Sequence, residues 1–256
     1  MATKIFSKVT LVGAGPGDLD LITVKGLKAI KNAKVILYDA LINRELLQYA
    51  KADAELIFVG KRKGFHKLTQ DQINTLVVEK AFQYGAVVRL KGGDPFIFGR
   101  GSEEVNYIAS FGIETEVIPG ISSATAVPAN QGISLTKRGV SESFWVITGT
   151  TSQNKLSQDV YLAAQSTATV VILMGMSKLN EIVALFKKFD KENIPVAIIQ
   201  NGTTKNEKIG IGTIKSILGV VIEKELSAPA IIVIGEVVRE SNKLHSFYEE
   251  LTVSKF

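Results

Sequence analysis

Apolar runs of strand length alternate with amphipathic stretches through the first half of the chain. Lys8 to Val12, Lys34 to Tyr38, Glu55 to Val59, Val87 to Leu90 and Thr115 to Ile118 are rich in β-branched residues and predict strands. Between them, Ile22 to Asn32 places Val24, Leu27 and Ile30 on one helical stripe. Thr69, with Gln72 three residues on, carries the capping-box pattern; Ile73, Leu76, Val77 and Ala81 then line one face and Gly85 stops the helix. Ser102 to Phe111 predicts a further helix. Strands and helices in this alternation predict a mostly parallel sheet covered on both faces.

From Ser134 to Ser143 the pattern turns polar and irregular, which puts a boundary between an N-terminal α/β domain, 1–135, and a C-terminal α/β domain, 136–256. In the second, Phe144 to Thr148, Thr169 to Leu173, Val196 to Ile199, Ile209 to Gly212 and Ala230 to Ile234 predict strands, and Leu179 to Phe189 a helix. Phe144 and Trp145 are expected in the core. Two α/β domains on a short hinge would form a cleft.

Composition narrows the function. The 256 residues are 46% hydrophobic, with no apolar run near the roughly 20 residues of a membrane span. Residues 1–8 lack the apolar core and cleavage site of a signal peptide. Cysteine is absent, which excludes disulfides, thiolate nucleophiles and cysteine-ligated metals. A cytoplasmic enzyme is expected. The two histidines, His66 and His245, are far apart without ligand-spaced partners, so no metal site is expected. The net charge of +5 fits either a solvated lysine-rich surface or a cleft for a small polyanion; no nucleic-acid-binding motif accompanies it.

Most predicted strands end in a glycine-bearing turn: Gly13-Ala14-Gly15-Pro16-Gly17-Asp18, Lys91-Gly92-Gly93-Asp94-Pro95 and Pro119-Gly120-Ile121-Ser122, then Thr148-Gly149-Thr150, Met174-Gly175-Met176 and Asn201-Gly202-Thr203. Glycine lets backbone approach a ligand closely, and ligands of open parallel sheets lie beyond the carboxyl ends of the strands. Gly13 and Gly15, with Asp39 ending the next strand, imitate a dinucleotide fold. The imitation fails where Asp18 replaces the third glycine and where Pro16 removes an N–H from the loop.

Taken together, VTLVGAGPGD, VILYDALI, VGKRKGFH, VRLKGGDPFIFGRGSEE, VIPGISSATAVPANQGISLTKRG, ILMG and PAIIVIGEVV resemble the uroporphyrinogen-III C-methyltransferase family of tetrapyrrole methylases. These stretches run in order over nearly the whole chain, and VGKR with GGDPFIFGRG is the most specific pair. The resemblance implies S-adenosylmethionine held in the inter-domain cleft, with Pro16, Gly92, Gly93, Asp94, Ile97, Ser122, Ser123, Met174 and Gly202 at the cofactor. It implies Asp39 as proton acceptor and Lys61 as proton donor. Arg62, Lys63, His66, Arg100 and Arg138 are cations suited to an octacarboxylate substrate; Arg100 could equally pair with Glu103 or Glu104. The implied reaction methylates uroporphyrinogen III at ring positions 2 and 7, giving precorrin-2 for the sirohaem and cobalamin branch, and the implied assembly is a homodimer. Ala40, then Asn130, Gln131, Ser134 and Lys137 within Pro128–Arg138, and Thr150 depart from the family pattern. The rivals are a methylase of a later corrin precursor, a nicotinamide-dependent oxidoreductase, and a basic binding module without catalysis.

Overall fold

The computed structural model describes residues 7–60 and 68–241. The chain divides into two compact units, Met1–Ser122 and Ser123–Phe256. The division falls ahead of the polar stretch at 134–143, because Val127 and Ile133 are buried among strand residues of the second unit.

In the first unit, strands β1 (Lys8–Gly13), β2 (Val35–Tyr38), β3 (Glu55–Phe58), β4 (Ala86–Lys91) and β5 (Glu114–Ile118) form one sheet in the order β3-β2-β4-β1-β5. Every neighbouring pair is parallel. Side-chain alternation sends Val12, Ile36, Val88 and Leu90 to one face, where Ile30 of α1 (Val24–Asn32) covers them. Val9, Leu11, Val35, Leu37 and Val87 point to the other, against Ile73, Val77 and Ala81 of α2 (Gln70–Tyr84) and Ile108 of α3 (Gly101–Ala109). Burial on both faces explains why these strands read as continuous apolar runs. The capping box opening α2 is formed in both directions, Thr69 Oγ1 accepting from Gln72 N–H and Gln72 Oε1 from Thr69 N–H.

Helix α1 leaves β1 over one face while α3 leaves the adjacent β4 over the other. The chain therefore changes direction between β1 and β4, and the crevice beyond their carboxyl ends is where such sheets take ligands.

The second unit is a mixed sheet, β6 (Phe144–Thr148), β7 (Thr169–Leu173), β8 (Pro195–Gln200), β9 (Lys208–Thr213) and β10 (Ala230–Ile234), in the order β6-β7-β10-β8-β9. Only β6 and β7 pair in parallel. One face packs on α5 (Asp159–Gln165), α6 (Leu179–Lys188) and α7 (Ile217–Glu223) through Val160, Ile182, Phe186 and Ile217. The other packs on Val127 of α4 (Ser123–Asn130) and on Ile133. Phe144 and Trp145 depart from the expected core position: they are 40% and 38% exposed, because β6 is an edge strand. Among the described residues no helix is long and apolar enough to cross a membrane.

Candidate active site

At the carboxyl end of the first sheet the α2/α3 face changes from apolar to charged. Val87, Arg89 and Lys91 alternate onto that face of β4, and Leu37 followed by Asp39 does the same at the end of β2, paired with β4. Asp39 is placed by its N–H, which donates to Leu90 O at 3.2 Å. Its carboxylate accepts from Arg89 Nη2 at 2.5 Å and faces Lys91 Nζ at 3.8 Å. Beneath them lies Glu104 of α3, whose Oε1 accepts from Lys91 Nζ at 2.8 Å, Gln70 Nε2 at 2.9 Å and Arg89 Nη2 at 3.3 Å. Glu104 occupies the first helical turn, where the positive end of the helix favours an anion. Arg89, Lys91 and Glu104 are buried, whereas the Asp39 side chain keeps 28% of its exposure. Burial, then the Arg89 guanidinium, pull the Lys91 ammonium below the usual lysine range, against Glu104 and Asp39.

Beside this cluster the glycine turns after β1, β4 and β5 interlock. Gly15 and Gly93 exchange backbone hydrogen bonds at 3.3 and 2.8 Å. A Cβ on Gly13 would lie 2.4 Å from Gly120 Cα and 2.7 Å from Gly93 O. Gly93, at φ +64°, takes a left-handed conformation that suits glycine. Asp94 ties two turns, one carboxylate oxygen accepting from Phe96 N–H at 2.8 Å and the other from Gly120 N–H at 3.0 Å. Pro16 and Gly92 are half-buried beside these contacts, Ser122 is buried and Ile97 exposed. Phe98 and Arg100 stand at φ +53° and +59°, strain of the kind that collects at binding sites. The Arg100 guanidinium pairs with Glu103 Oε2 at 2.5 Å, which holds Arg100 above and Glu103 below their usual ranges.

In the second unit, Met174 ends β7 at φ +54°, exposed, with its carbonyl accepting from Thr150 Oγ1 at 2.8 Å. Gly202 follows β8 and abuts α4: a Cβ there would lie 2.3 Å from Val127 Cγ1. That contact brings the turn to the helix opened by Ser123. Asn201 and Thr203, at φ +50° and +64°, are further strained positions there. Arg138 is exposed in the turn closed by Lys137 and Ser141. Lys61, Arg62, Lys63 and His66 lie outside the described residues. Among the described residues no group of three or more acidic, histidine or cysteine side chains could hold a metal.

The structure thus brings Pro16, Asp39, Gly92, Gly93, Asp94 and Ser122 to one end of the first sheet. Sequence reading missed Arg89, Lys91 and Glu104, although a basic pair in the otherwise apolar strand VVRLK was a visible signal.

Residues 8–218 match the tetrapyrrole (corrin/porphyrin) methylases. A uroporphyrinogen-III C-methyltransferase of Methanocaldococcus jannaschii is 52% identical over 90% of this chain and 96% of its own. One from Priestia megaterium is 44% identical over 91% of this chain and 99% of its own. Among solved structures, a uroporphyrin-III C-methyl transferase of Thermus thermophilus complexed with S-adenyl homocysteine superposes with a TM-score of 0.78 at 33% identity, covering 91% of this chain and 99% of that one. A cobalt precorrin-4 methyltransferase gives 0.80 at 26% identity, over 90% and 95% of the two chains. The glycine turns, the acid at the end of β2 and these likenesses lead to one conclusion: the chain belongs to the tetrapyrrole methylase family.

Proposed function

We propose that this chain is an S-adenosylmethionine-dependent methyltransferase that converts uroporphyrinogen III to precorrin-2 by methylation at ring positions 2 and 7. The observation that carries the reading is the adjacency of Asp39, at the end of β2, to the interlocked glycine turns at the ends of β1, β4 and β5. The relatives' names support the substrate. The turns pack backbone on backbone, leaving no room for a Cβ at Gly13 or Gly120, which gives the donor a fixed wall at the ends of the strands.

S-adenosylmethionine supplies an electrophilic methyl group, and in-line transfer needs orientation and dryness more than covalent help. The turns of Gly92, Gly93 and Asp94 orient the donor, together with Pro16, Ile97, Ser122, Ser123, Met174 and Gly202. Asp39 faces the electron-rich pyrrole carbon, balances the positive charge that develops there and accepts the proton that leaves the ring. Lys61 is the proton donor of this reading. Arg62, Lys63, His66, Arg100 and Arg138 meet the substrate's carboxylates, which requires Arg100 to exchange its Glu103 partner for substrate. The reading also takes the enzyme as a cytoplasmic homodimer, on the strength of the family resemblance.

Incubation with uroporphyrinogen III and methyl-labelled S-adenosylmethionine tests the proposal. The expected product gains two labelled methyl groups by mass; a product with one, or none, contradicts it.

A further inference from the structure

Four ionisable groups meet at one point of the first unit, two cations and two anions. The side chains of Arg89, Lys91 and Glu104 are 2%, 4% and 1% exposed. Such clusters are weak stability devices, because each buried ion costs several kcal/mol and apolar replacement is often neutral or better. This cluster is also imperfectly satisfied: Arg89 Nε and Glu104 Oε2 are buried without a hydrogen-bond partner. Stability alone does not account for it.

Its geometry does. Asp39 is the one member that reaches solvent, and the two cations approach its separate oxygens, Arg89 at Oδ1 and Lys91 at Oδ2. Both cations are tied in turn to the same oxygen of Glu104. A carboxylate hydrogen-bonded at one oxygen, with a second cation 3.8 Å from the other, has a preferred orientation. We propose that Arg89, Lys91 and Glu104 are positioning residues that fix the orientation of the Asp39 carboxylate, with Glu104 acting by anchoring the two cations. This rests on the assignment of Asp39 as the group facing the pyrrole carbon. The other charged groups nearby are Arg100 and Glu103 at the start of α3, Asp71 on α2, and Arg44, which lies over the Tyr38 and Phe58 rings. The depressed Lys91 ammonium shows how finely the cluster is balanced: loss of Glu104 removes a group that keeps Lys91 protonated.

The double variant Lys91→Met/Glu104→Leu removes one cation and one anion, leaving the Arg89–Asp39 pair. It should melt cooperatively and bind S-adenosylhomocysteine within about twofold of wild type, while kcat falls by about tenfold or more. KM for the tetrapyrrole should change by less than about threefold, so the loss falls on kcat; a packing defect would weaken S-adenosylhomocysteine binding as well. Glu104→Gln keeps the shape and should lower kcat by a similar factor. Wild-type kcat in either folded variant overturns the proposal, as does loss of the cooperative melt in both. Asp39→Asn separates the two levels. If it turns over like wild type, the assignment of Asp39 itself fails. If it is impaired while the double variant is not, only the positioning network fails.

Discussion

Gly120→Ala is the sharpest perturbation of the interlocked turns. Its Cβ would lie 2.1 Å from Gly93 O and 2.7 Å from Gly13 Cα. A carbon–oxygen contact relaxes near 3.3 Å, so the turns must separate by about 1.2 Å. Both neighbours are backbone, so no rotamer change relieves the clash, and the Asp94–Gly120 hydrogen bond of 3.0 Å stretches with them. Overpacking of this kind costs about 1–3 kcal/mol, and at about 2–4 °C per kcal/mol the melting temperature should fall by roughly 2–12 °C. A displacement of about 1 Å at a positioning loop costs on the order of a hundredfold in kcat/KM. Calorimetry with S-adenosylhomocysteine should show Kd raised by about tenfold or more. Gly112→Ala is the control: φ is +71° there, but the added methyl meets nothing within 4 Å. It should cost about 1 kcal/mol of backbone strain and leave turnover unchanged. If Gly120→Ala melts lower but binds and turns over like Gly112→Ala, the turns do not hold the methyl donor.

Asp39→Asn keeps the shape and removes the charge; kcat should fall by about ten- to a thousand-fold with little change in S-adenosylhomocysteine affinity, and collapse of that affinity instead would make Asp39 a cofactor residue. Gly219→Ala, in exposed α7 with open space around its Cβ, should raise stability by about 0.5–1 kcal/mol, read as a higher melting temperature. Because the native Lys91 ammonium is held below its ordinary value of 10.5, the unfolded chain binds the extra proton in the window just under that value. Stability from this residue therefore rises with pH there, and wild type minus Lys91→Met in pH-dependent melts should show that slope. On the acid side, Glu55 is lowered by Lys80, then Tyr84, and Glu116 by Lys25 and Lys8. Their stabilisation is present above the ordinary value of 4.5, is lost as pH falls through the lowered values, and should shrink in high salt because the pairs are exposed.

The parallel sheet was legible because strands buried on both faces are mostly apolar, as the central β1, β2 and β4 read, while the edge strands β3 and β5 carry Glu55, Glu114 and Glu116. The capping box of α2 was legible because its chemistry is local. What was not legible was non-local. Helix α4 hides in SSATAVPAN, where small residues and Pro128 give no stripe. The exposure of Phe144 and Trp145 depends on β6 lying at the edge, and the antiparallel pairings of β10 on sheet order, neither of which the strand sequences encode. The Arg89 cluster joins residues 50 and 15 positions apart, so only folding reveals it. The glycine turns stood out in sequence, but that three of them touch one another did not.

One strand, β4, carries both Lys91, which faces Asp39, and the Gly92-Gly93-Asp94 turn assigned to the methyl donor. The spacing between acid and turn is therefore set within one sheet, by the Asp39–Leu90 backbone hydrogen bond and about 3.3 Å of strand per residue from Leu90 to Gly92. An enzyme that methylates two carbons of one macrocycle cannot retune that distance between rounds. In the proposed reaction it is then the macrocycle that turns, presenting its second pyrrole to an unchanged spacing.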